Sequence, residues 1–207
     1  MLHYETIDAP TLDLLKNLML MAELKNHLLV GGTSLALQIG HRKSIDIDLF
    51  GTADLINIEL ENMLIQNFKT FSWLRNSGSV KTMLINGIKT DIVHYKYPWI
   101  SQVLVVDGIR LAGKKDIAAM KLAAITGRGT KKDFIDLYLL LKEYSLSEMM
   151  GMYREKYSDG SEFLVIKSLV YFEDAEENEM PKMLIPVSWQ QVKKTITKEH
   201  RNYLAGI

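Results

Sequence analysis

The sequence contains no cysteine and carries no net charge. Without cysteine the chain can form neither a disulfide nor a thiolate metal site, which fits a reducing compartment. The 25 basic side chains are balanced by 25 acidic ones, so no global field attracts the chain to nucleic acid or to a membrane surface. Any contact with a nucleic acid must therefore come from a local basic patch.

Long apolar runs and a targeting segment are also missing. No apolar stretch approaches the ~18 residues that a membrane-spanning helix needs. The N-terminal segment MLHYETIDAP lacks a basic region followed by an apolar one, so it does not resemble a signal peptide. A hydrophobic content of 47% predicts a buried core rather than disorder. We expect a cytoplasmic protein without membrane association.

The pattern of apolar residues changes near residue 112. Up to that point it predicts short strands between helices, whereas from Lys115 onward the spacing is helical. Asn86-Gly87 lies between two alternating runs and predicts a β-hairpin. The first part is predicted to contain helices at Thr11–Asn26, Thr33–Ile39 and Ala53–Asn67, and strands at Leu28–Val30, Ser44–Phe50, Phe71–Arg75, Val80–Asn86 and Ile88–Tyr95. We predict an α/β (α+β) fold, with a mixed core at 1–112 and a helical region at 113–207.

Two aspartates alternate with apolar residues in the segment Ser44–Phe50. On a strand, residues i and i+2 point to the same face, so Asp46 and Asp48 would lie side by side and repel unless a cation sits between them. Carboxylate oxygens favour Mg²⁺ or Mn²⁺. The residues expected to face the core are Ile45, Ile47 and Leu49. The alternative is a solvated strand face that carries two aspartates by chance, although aspartate is disfavoured in strands.

The segment Gly31–Ser34 follows a predicted strand and opens a helix. Glycines let the backbone approach a ligand, and N–H groups at a helix start bind phosphate. Alone, Gly-Gly is often just a tight turn between a strand and a helix. Beside the acidic pair, it predicts a site for a nucleoside triphosphate with Mg²⁺.

Asp91 lies on the strand that follows the Asn-Gly turn. A third carboxylate on a neighbouring strand would complete a site for two metal ions, which stabilise the attacking and leaving oxygens of a phosphoryl transfer. The alternative is an exposed aspartate on an edge strand.

These motifs resemble those of the DNA polymerase beta-like nucleotidyltransferase superfamily, and more closely the AbiEii/AbiGii toxin family. The first family motif, GGTxL followed by Arg-x-Ser-x-Asp-[Ile/Leu]-Asp-Leu-Phe, corresponds to Gly31, Gly32, Thr33, Leu35, Arg42, Ser44, Asp46, Ile47, Asp48, Leu49 and Phe50. The later motifs, a helical Lys and an Arg/Lys-Asp-x-x-Asp-Leu element, correspond to Lys121, Lys132, Asp133, Asp136 and Leu137. The resemblance runs from about Leu28 to Leu141.

The resemblance implies a nucleotidyltransferase core with a small mixed sheet flanked by helices, and a helical C-terminal half that completes the active-site cleft. It implies an enzyme that uses Mg²⁺ or Mn²⁺ to transfer a nucleoside monophosphate from a nucleoside triphosphate to an acceptor hydroxyl. The acceptor would be RNA such as tRNA, in a toxin–antitoxin or phage-defence system with a cognate antitoxin. A small-molecule acceptor and a non-catalytic nucleotide-binding module remain alternatives.

The resemblance also implies roles for individual residues. The catalytic set is Asp46, Asp48, Asp91, Lys121, Asp133 and Asp136, the first three of which hold metal. The nucleotide-binding set is Gly31, Gly32, Thr33, Ser34, Arg42, Ser44 and Lys121. Lys121 is expected opposite Asp48 across the cleft, although spacing alone predicts an exposed lysine. Arg42 would hold a phosphate or pair with an acid, and Asp133 or Asp136 would orient Lys121 or Arg128, or assist catalysis.

A group of cations in the helical region is a candidate rim for the backbone of an RNA acceptor. Its members are Lys114, Lys115, Arg128, Lys131 and Lys132. The alternative is that they are solvated residues at ordinary helix ends.

Overall fold

The computed structural model describes residues 1–52, 57–127 and 129–206. The chain divides into two units. The first comprises Met1–Lys96 and Val103–Ala112, and the second comprises Tyr97–Gln102 and the chain from Gly113 onward. The chain therefore passes between the units three times, after residues 96, 102 and 112.

The first unit contains a mixed sheet flanked by helices, as the sequence predicts. Its helices are α1 (Ala9–Leu20), α2 (Gly31–Ile39) and α3 (Asn57–Asn67), with 3-10 turns at Tyr4–Thr6 and Ala22–Leu24. Its strands are β1 (His27–Leu29), β2 (Ile47–Gly51), β3 (Phe71–Ser77), β4 (Val80–Ile85), β5 (Ile88–His94), β6 (Leu104–Val106) and β7 (Ile109–Leu111). The strand order is β3-β4-β5-β2-β1-β7-β6, and the parallel pairs are β2 with β5 and β1 with β7. The predicted start of the third helix, residues 53–56, lies outside the described residues.

Two hairpins in this sheet turn on an Asx-Gly dipeptide. Asn86 and Gly87 have φ values of 50° and 80° and join β4 to β5, which confirms the predicted hairpin. Asp107 and Gly108 repeat this geometry at 51° and 79° between β6 and β7. The second hairpin was not predicted, although Asp-Gly between apolar runs is the same signal.

The core of the first unit lies between one face of the sheet and the helices α1 and α3. Ile47 and Leu49 of β2 are buried there with residues of both helices, as predicted. The prediction for Ile45 is wrong, because its side chain is 63% exposed. The strand begins at Ile47 rather than Ser44, so the alternation of faces does not extend back to Ile45.

A buried histidine and a half-buried arginine lie together on β1 and β7. The Arg110 guanidinium donates hydrogen bonds to the carbonyls of Met19, Leu24 and His27, at 2.8, 3.0 and 3.2 Å. The His27 ring is fully buried, and neither ring nitrogen has a hydrogen-bond partner among the described residues. Burial, together with the charges of Arg110 and His94, lowers the pKa of His27 from 6.5 to about 4.

This histidine is expected to make the fold less stable in mild acid. Because the pKa is lower in the folded state, the unfolded chain binds the proton first as the pH falls below 6.5. The shifted pKa of His27 contributes about 3 kcal/mol to the free energy of unfolding. This contribution is complete above pH 6.5 and is lost progressively down to about pH 4. Urea unfolding of the wild type and His27→Gln between pH 4 and 7 measures it. The variant should lose less stability with acid than the wild type, and His200→Gln should behave as wild type. Parallel pH profiles for the wild type and His27→Gln would contradict the assignment.

The second unit is helical. Its helices are α4 (Lys114–Gly127), α5 (Lys131–Leu140), α6 (Leu146–Lys156), α7 (Glu162–Ser168), α8 (Glu173–Glu176) and α9 (Trp189–Ala205). Phe134, Phe172 and Trp189 pack edge to face or tilted, with ring centroids 5.0 to 6.0 Å apart. No helix within the described ranges has both the length and the apolar character needed to span a membrane.

A buried ion pair holds the segment Tyr97–Gln102 in the second unit. The Asp116 carboxylate accepts hydrogen bonds from the backbone N–H groups of Ile100 and Ser101, both at 3.0 Å, and from Lys156 Nζ at 2.7 Å. Lys156 also donates to the carbonyl of Pro98 at 2.7 Å. The ion pair therefore fixes residues 97–102, which lie in the sequence between the two stretches of chain that form the first unit.

Candidate functional site

Asp48 and Asp91 lie directly opposite each other on the parallel strands β2 and β5. Paired positions on neighbouring strands project to the same face, so the two carboxylates share one face of the sheet. Both are half-buried, whereas the flanking Ile47 and Leu49 project to the opposite, core-facing side. The fold thus brings together two acidic residues that are 43 positions apart in the sequence.

The environment of Asp91 fits a cation. Its Oδ1 atom is buried and has no hydrogen-bond partner among the described residues. Its Oδ2 atom lies 3.6 Å from Lys89 Nζ. A buried carboxylate oxygen without a partner costs free energy, which a hard divalent cation would offset because such ions prefer oxygen ligands.

Asp46 is placed differently from the sequence prediction. It precedes β2 rather than lying on the strand, so the argument from same-face spacing does not position it beside Asp48. Its backbone carbonyl accepts a hydrogen bond from the Thr33 hydroxyl, which fixes the approach to the strand. Within the parts of the chain that the structure describes, no three acidic or histidine side chains are gathered closely enough to hold a metal ion as they stand. A complete three-carboxylate centre therefore requires at least one of these side chains to rearrange.

The start of α2 lies against the Asp48 carboxylate. Gly31 has a φ of +66°, and a Cβ atom at this position would lie 2.5 Å from Asp48 Oδ2. The backbone N–H of Val30 donates to the Asp48 carbonyl at 2.9 Å, and Val30 offers no side-chain cap to the helix. The N–H groups of the first helical turn, which have no partners within a helix, therefore lie next to a candidate metal ligand.

Arg42 is a buried residue and not an open loop cation. Its side chain is 3% exposed, and Nη1 donates to the Lys43 carbonyl at 3.0 Å. A Cβ atom at Gly32 would lie 2.2 Å from Nη2 of Arg42. The second glycine therefore makes room for the guanidinium beside the first turn of α2.

The hydroxyl residues of the predicted nucleotide site mainly support the backbone. Thr33 Oγ1 lies 2.8 Å from Ser44 Oγ and ties the helix start to the loop that carries Arg42. Ser34 is fully buried, and its Oγ accepts from Gln38 Nε2 at 3.1 Å. Its N–H donates within the helix to Val30, so Ser34 is not placed to contact a phosphate.

In the helical unit, Lys121 lies between Asp133 and Asp136. Its Nζ atom is 2.9 Å from Asp133 Oδ1 and 2.6 Å from Asp136 Oδ2, and all three side chains are almost fully buried. The expectation from spacing alone, an exposed lysine, is therefore wrong. Both aspartates contact the lysine, while Arg128 lies outside the described residues. The placement of Lys121 opposite Asp48 stays a prediction.

Lys131 and Lys114 of the candidate rim are engaged within the helical unit. Lys131 is buried and donates to the carbonyls of Glu176 and Asn178, and Lys114 pairs with Glu143. Lys131 is therefore a core residue of the unit rather than part of a rim. Lys115 is exposed.

Two further residues, Lys89 and Thr6, lie near the site and were not predicted from the sequence. Lys89 lies two positions before Asp91, and this spacing on a strand was sufficient to place both on one face. Thr6 is fully buried, and its carbonyl accepts the N–H of Ser44 at 2.9 Å, so the N-terminal turn braces the loop before Asp46. No sequence pattern indicated that second contact, because it joins distant segments.

Comparison with known proteins relates the chain to a described family. Residues 13–110 match the family model described as nucleotidyl transferase AbiEii toxin, Type IV TA system. The uncharacterized protein aq_aa25 of Aquifex aeolicus (strain VF5) is 36% identical over 184 residues, which cover 85% of this chain and 87% of that protein.

Solved structures share the fold at low sequence identity. A candidate nucleotidyltransferase from H. pylori has a TM-score of 0.57 at 17% identity, with 97% of this chain and 99% of that chain covered. MenT4, a nucleotidyltransferase toxin from Mycobacterium tuberculosis H37Rv, has a TM-score of 0.57 at 15% identity, with 94% and 86% covered.

Proposed function

The chain belongs to the AbiEii family of nucleotidyltransferase toxins, and we propose that it transfers a nucleoside monophosphate from a nucleoside triphosphate to a hydroxyl of RNA, in a reaction that depends on Mg²⁺. The observation that carries the proposal is the register of β2 and β5, which sets Asp48 beside Asp91 on one face of the sheet. A cognate antitoxin, expected from the family, belongs to the same proposal.

Asp48 and Asp91 would hold Mg²⁺ or Mn²⁺ with carboxylate oxygens, and Asp46 would join them from the loop before β2. The metal would supply positive charge to the phosphoryl oxygens and to the attacking hydroxyl. Two features support this assignment because both suit a charged ligand at this point: Asp91 Oδ1 is buried without a partner among the described residues, and Gly31 closely approaches Asp48.

The triphosphate would lie at the start of α2. N–H groups of Gly31, Gly32 and Thr33 would receive its oxygens, and Arg42, packed against Gly32, would add a fixed positive charge. The acceptor oxygen attacks the α-phosphorus, and the bond from this phosphorus to the bridging oxygen of the β-phosphate breaks. Pyrophosphate leaves with the electron pair, and the proton of the hydroxyl passes to the Asp91 carboxylate.

A cationic stripe on α9 favours RNA over a small acceptor. Lys194, Lys198 and Arg201 are exposed and follow the i, i+4, i+7 spacing that places them on one side of the helix. Such a row can follow a phosphate backbone, and it replaces the candidate rim as the local basic patch.

The test is an assay with each α-labelled triphosphate, Mg²⁺ and total tRNA. We expect one triphosphate to label RNA, and Asp48→Asn to remove the label. Replacing Lys194, Lys198 and Arg201 by glutamine should weaken RNA labelling about tenfold at physiological salt. A matched variant with Lys16, Lys25 and Lys69 changed to glutamine, which lowers the charge equally in the other unit, should not.

The other outcomes separate the alternatives. If a small hydroxylated compound accepts label and RNA does not, the RNA acceptor is wrong and nucleotidyl transfer stands. If no acceptor is labelled by the wild type but a triphosphate binds, the chain acts as a nucleotide-binding module and the proposed transfer is wrong.

A further inference from the structure

A lysine lies beside the candidate metal ligand Asp91. Lys89 and Asp91 are separated by one residue on β5, so their side chains share a face of the sheet. Lys89 Nζ lies 3.6 Å from Asp91 Oδ2, and the lysine side chain is 44% exposed against 19% for the aspartate. The ammonium group therefore reaches the carboxylate from the solvent side.

This contact involves only one of the two carboxylate oxygens of Asp91. The other, Oδ1, is buried and has no hydrogen-bond partner among the residues that the structure describes. Asp48 faces Asp91 across the parallel ladder, and neighbouring carboxylates repel each other in the absence of a cation. Lys89 thus lies where a positive charge offsets this repulsion while Oδ1 remains available.

We propose that Lys89 is a positioning residue that acts as a tethered counter-ion: it holds the Asp91 carboxylate beside Asp48 when no metal is bound, and it competes with the divalent cation for that carboxylate. The proposal rests on the function proposed above. The exposed side chain of Lys89 allows its ammonium group to move away when the metal binds. Two cations at this distance from Asp91 would otherwise repel each other.

Removal of the lysine charge is therefore expected to tighten metal binding. Lys89→Met should lower the Kd for Mg²⁺, and for Mn²⁺ followed by the electron paramagnetic resonance of the free ion, by about three- to tenfold. Lys89→Arg keeps the charge and should bind metal as the wild type does. Lys25→Met removes the same charge from an exposed position before β1 and should change the Kd by less than about twofold.

Metal binding by the wild type, these variants and Asp91→Asn tests the proposal. Tighter binding by Lys89→Met alone, with a melting temperature of the metal-free protein at or slightly below that of the wild type, supports the counter-ion. If the wild type binds metal, Asp91→Asn loses it, and Lys89→Met binds equally or more weakly, the counter-ion is wrong while the proposed metal site stands. If the wild type binds neither Mg²⁺ nor Mn²⁺, even with a triphosphate present, the proposed function fails and the counter-ion fails with it.

Discussion

Replacing Asp48 by asparagine is expected to lower kcat/KM for nucleotidyl transfer by about 10³-fold, and Asp91→Asn by a similar factor. Asparagine keeps the size of the side chain but removes the negative charge that would hold a divalent cation. The two aspartates face each other on β2 and β5 and would bind the same charge, so their losses should not multiply. The double variant should therefore be less than about tenfold worse than either single variant.

Kinetics and urea unfolding of the same preparations test this expectation. Asp13→Asn changes an exposed carboxylate on α1 and serves as the matched control, with activity close to that of the wild type. The site assignment is wrong if Asp48→Asn keeps more than about a tenth of the wild-type kcat/KM. Multiplicative losses in the double variant would instead show that Asp48 and Asp91 act separately.

The parts of the fold that follow from neighbouring residues were predictable. Asn86-Gly87 defines its hairpin because both residues must adopt positive φ, and few other dipeptides do so at low cost. The buried positions Ile47 and Leu49 follow from alternation along one strand. The same alternation wrongly predicted that Ile45 is buried. Spacing does not show where a strand begins, and pairing with β5 starts only at Ile47.

The parts that depend on pairing between distant segments were not predictable from spacing. The sequence indicated three candidate carboxylates, but only the parallel register of β2 and β5 places Asp48 opposite Asp91. The burial of Arg42 likewise depends on the space beside Gly32. A motif therefore predicts which residues gather near a site, whereas the tertiary contacts determine which of them face a ligand and which support the backbone.

The loop before β2 illustrates this division. Thr33 holds it through Ser44 and the Asp46 carbonyl, and Thr6 holds it from the N-terminal turn through the N–H of Ser44. Two hydroxyl residues of the family motif thus act on the geometry of the loop. The Thr33 hydroxyl therefore helps to position Asp46 and the loop that carries Arg42.

Lys121 presents the clearest choice between a structural and a catalytic role. Its ammonium group is shared by Asp133 and Asp136, whose side chains are fully buried. Removing one partner of a buried ion pair leaves charge in a medium of low dielectric constant and typically costs 3–5 kcal/mol. We therefore expect Lys121→Met, which keeps the length of the side chain, to lower the free energy of unfolding by about 3–5 kcal/mol.

Urea unfolding of the full chain measures this loss, with Lys115→Met, an exposed position on the same helix, as the control expected within about 0.5 kcal/mol of wild type. Should Lys121→Met fail to fold, the variant that also carries Asp133→Asn and Asp136→Asn removes the buried negative charge and should recover part of the stability. A fall of less than about 1 kcal/mol together with a loss of kcat/KM above about 100-fold would contradict the structural role. That result would favour a catalytic role for the lysine, because a residue that only stabilises the fold loses activity through its loss of stability.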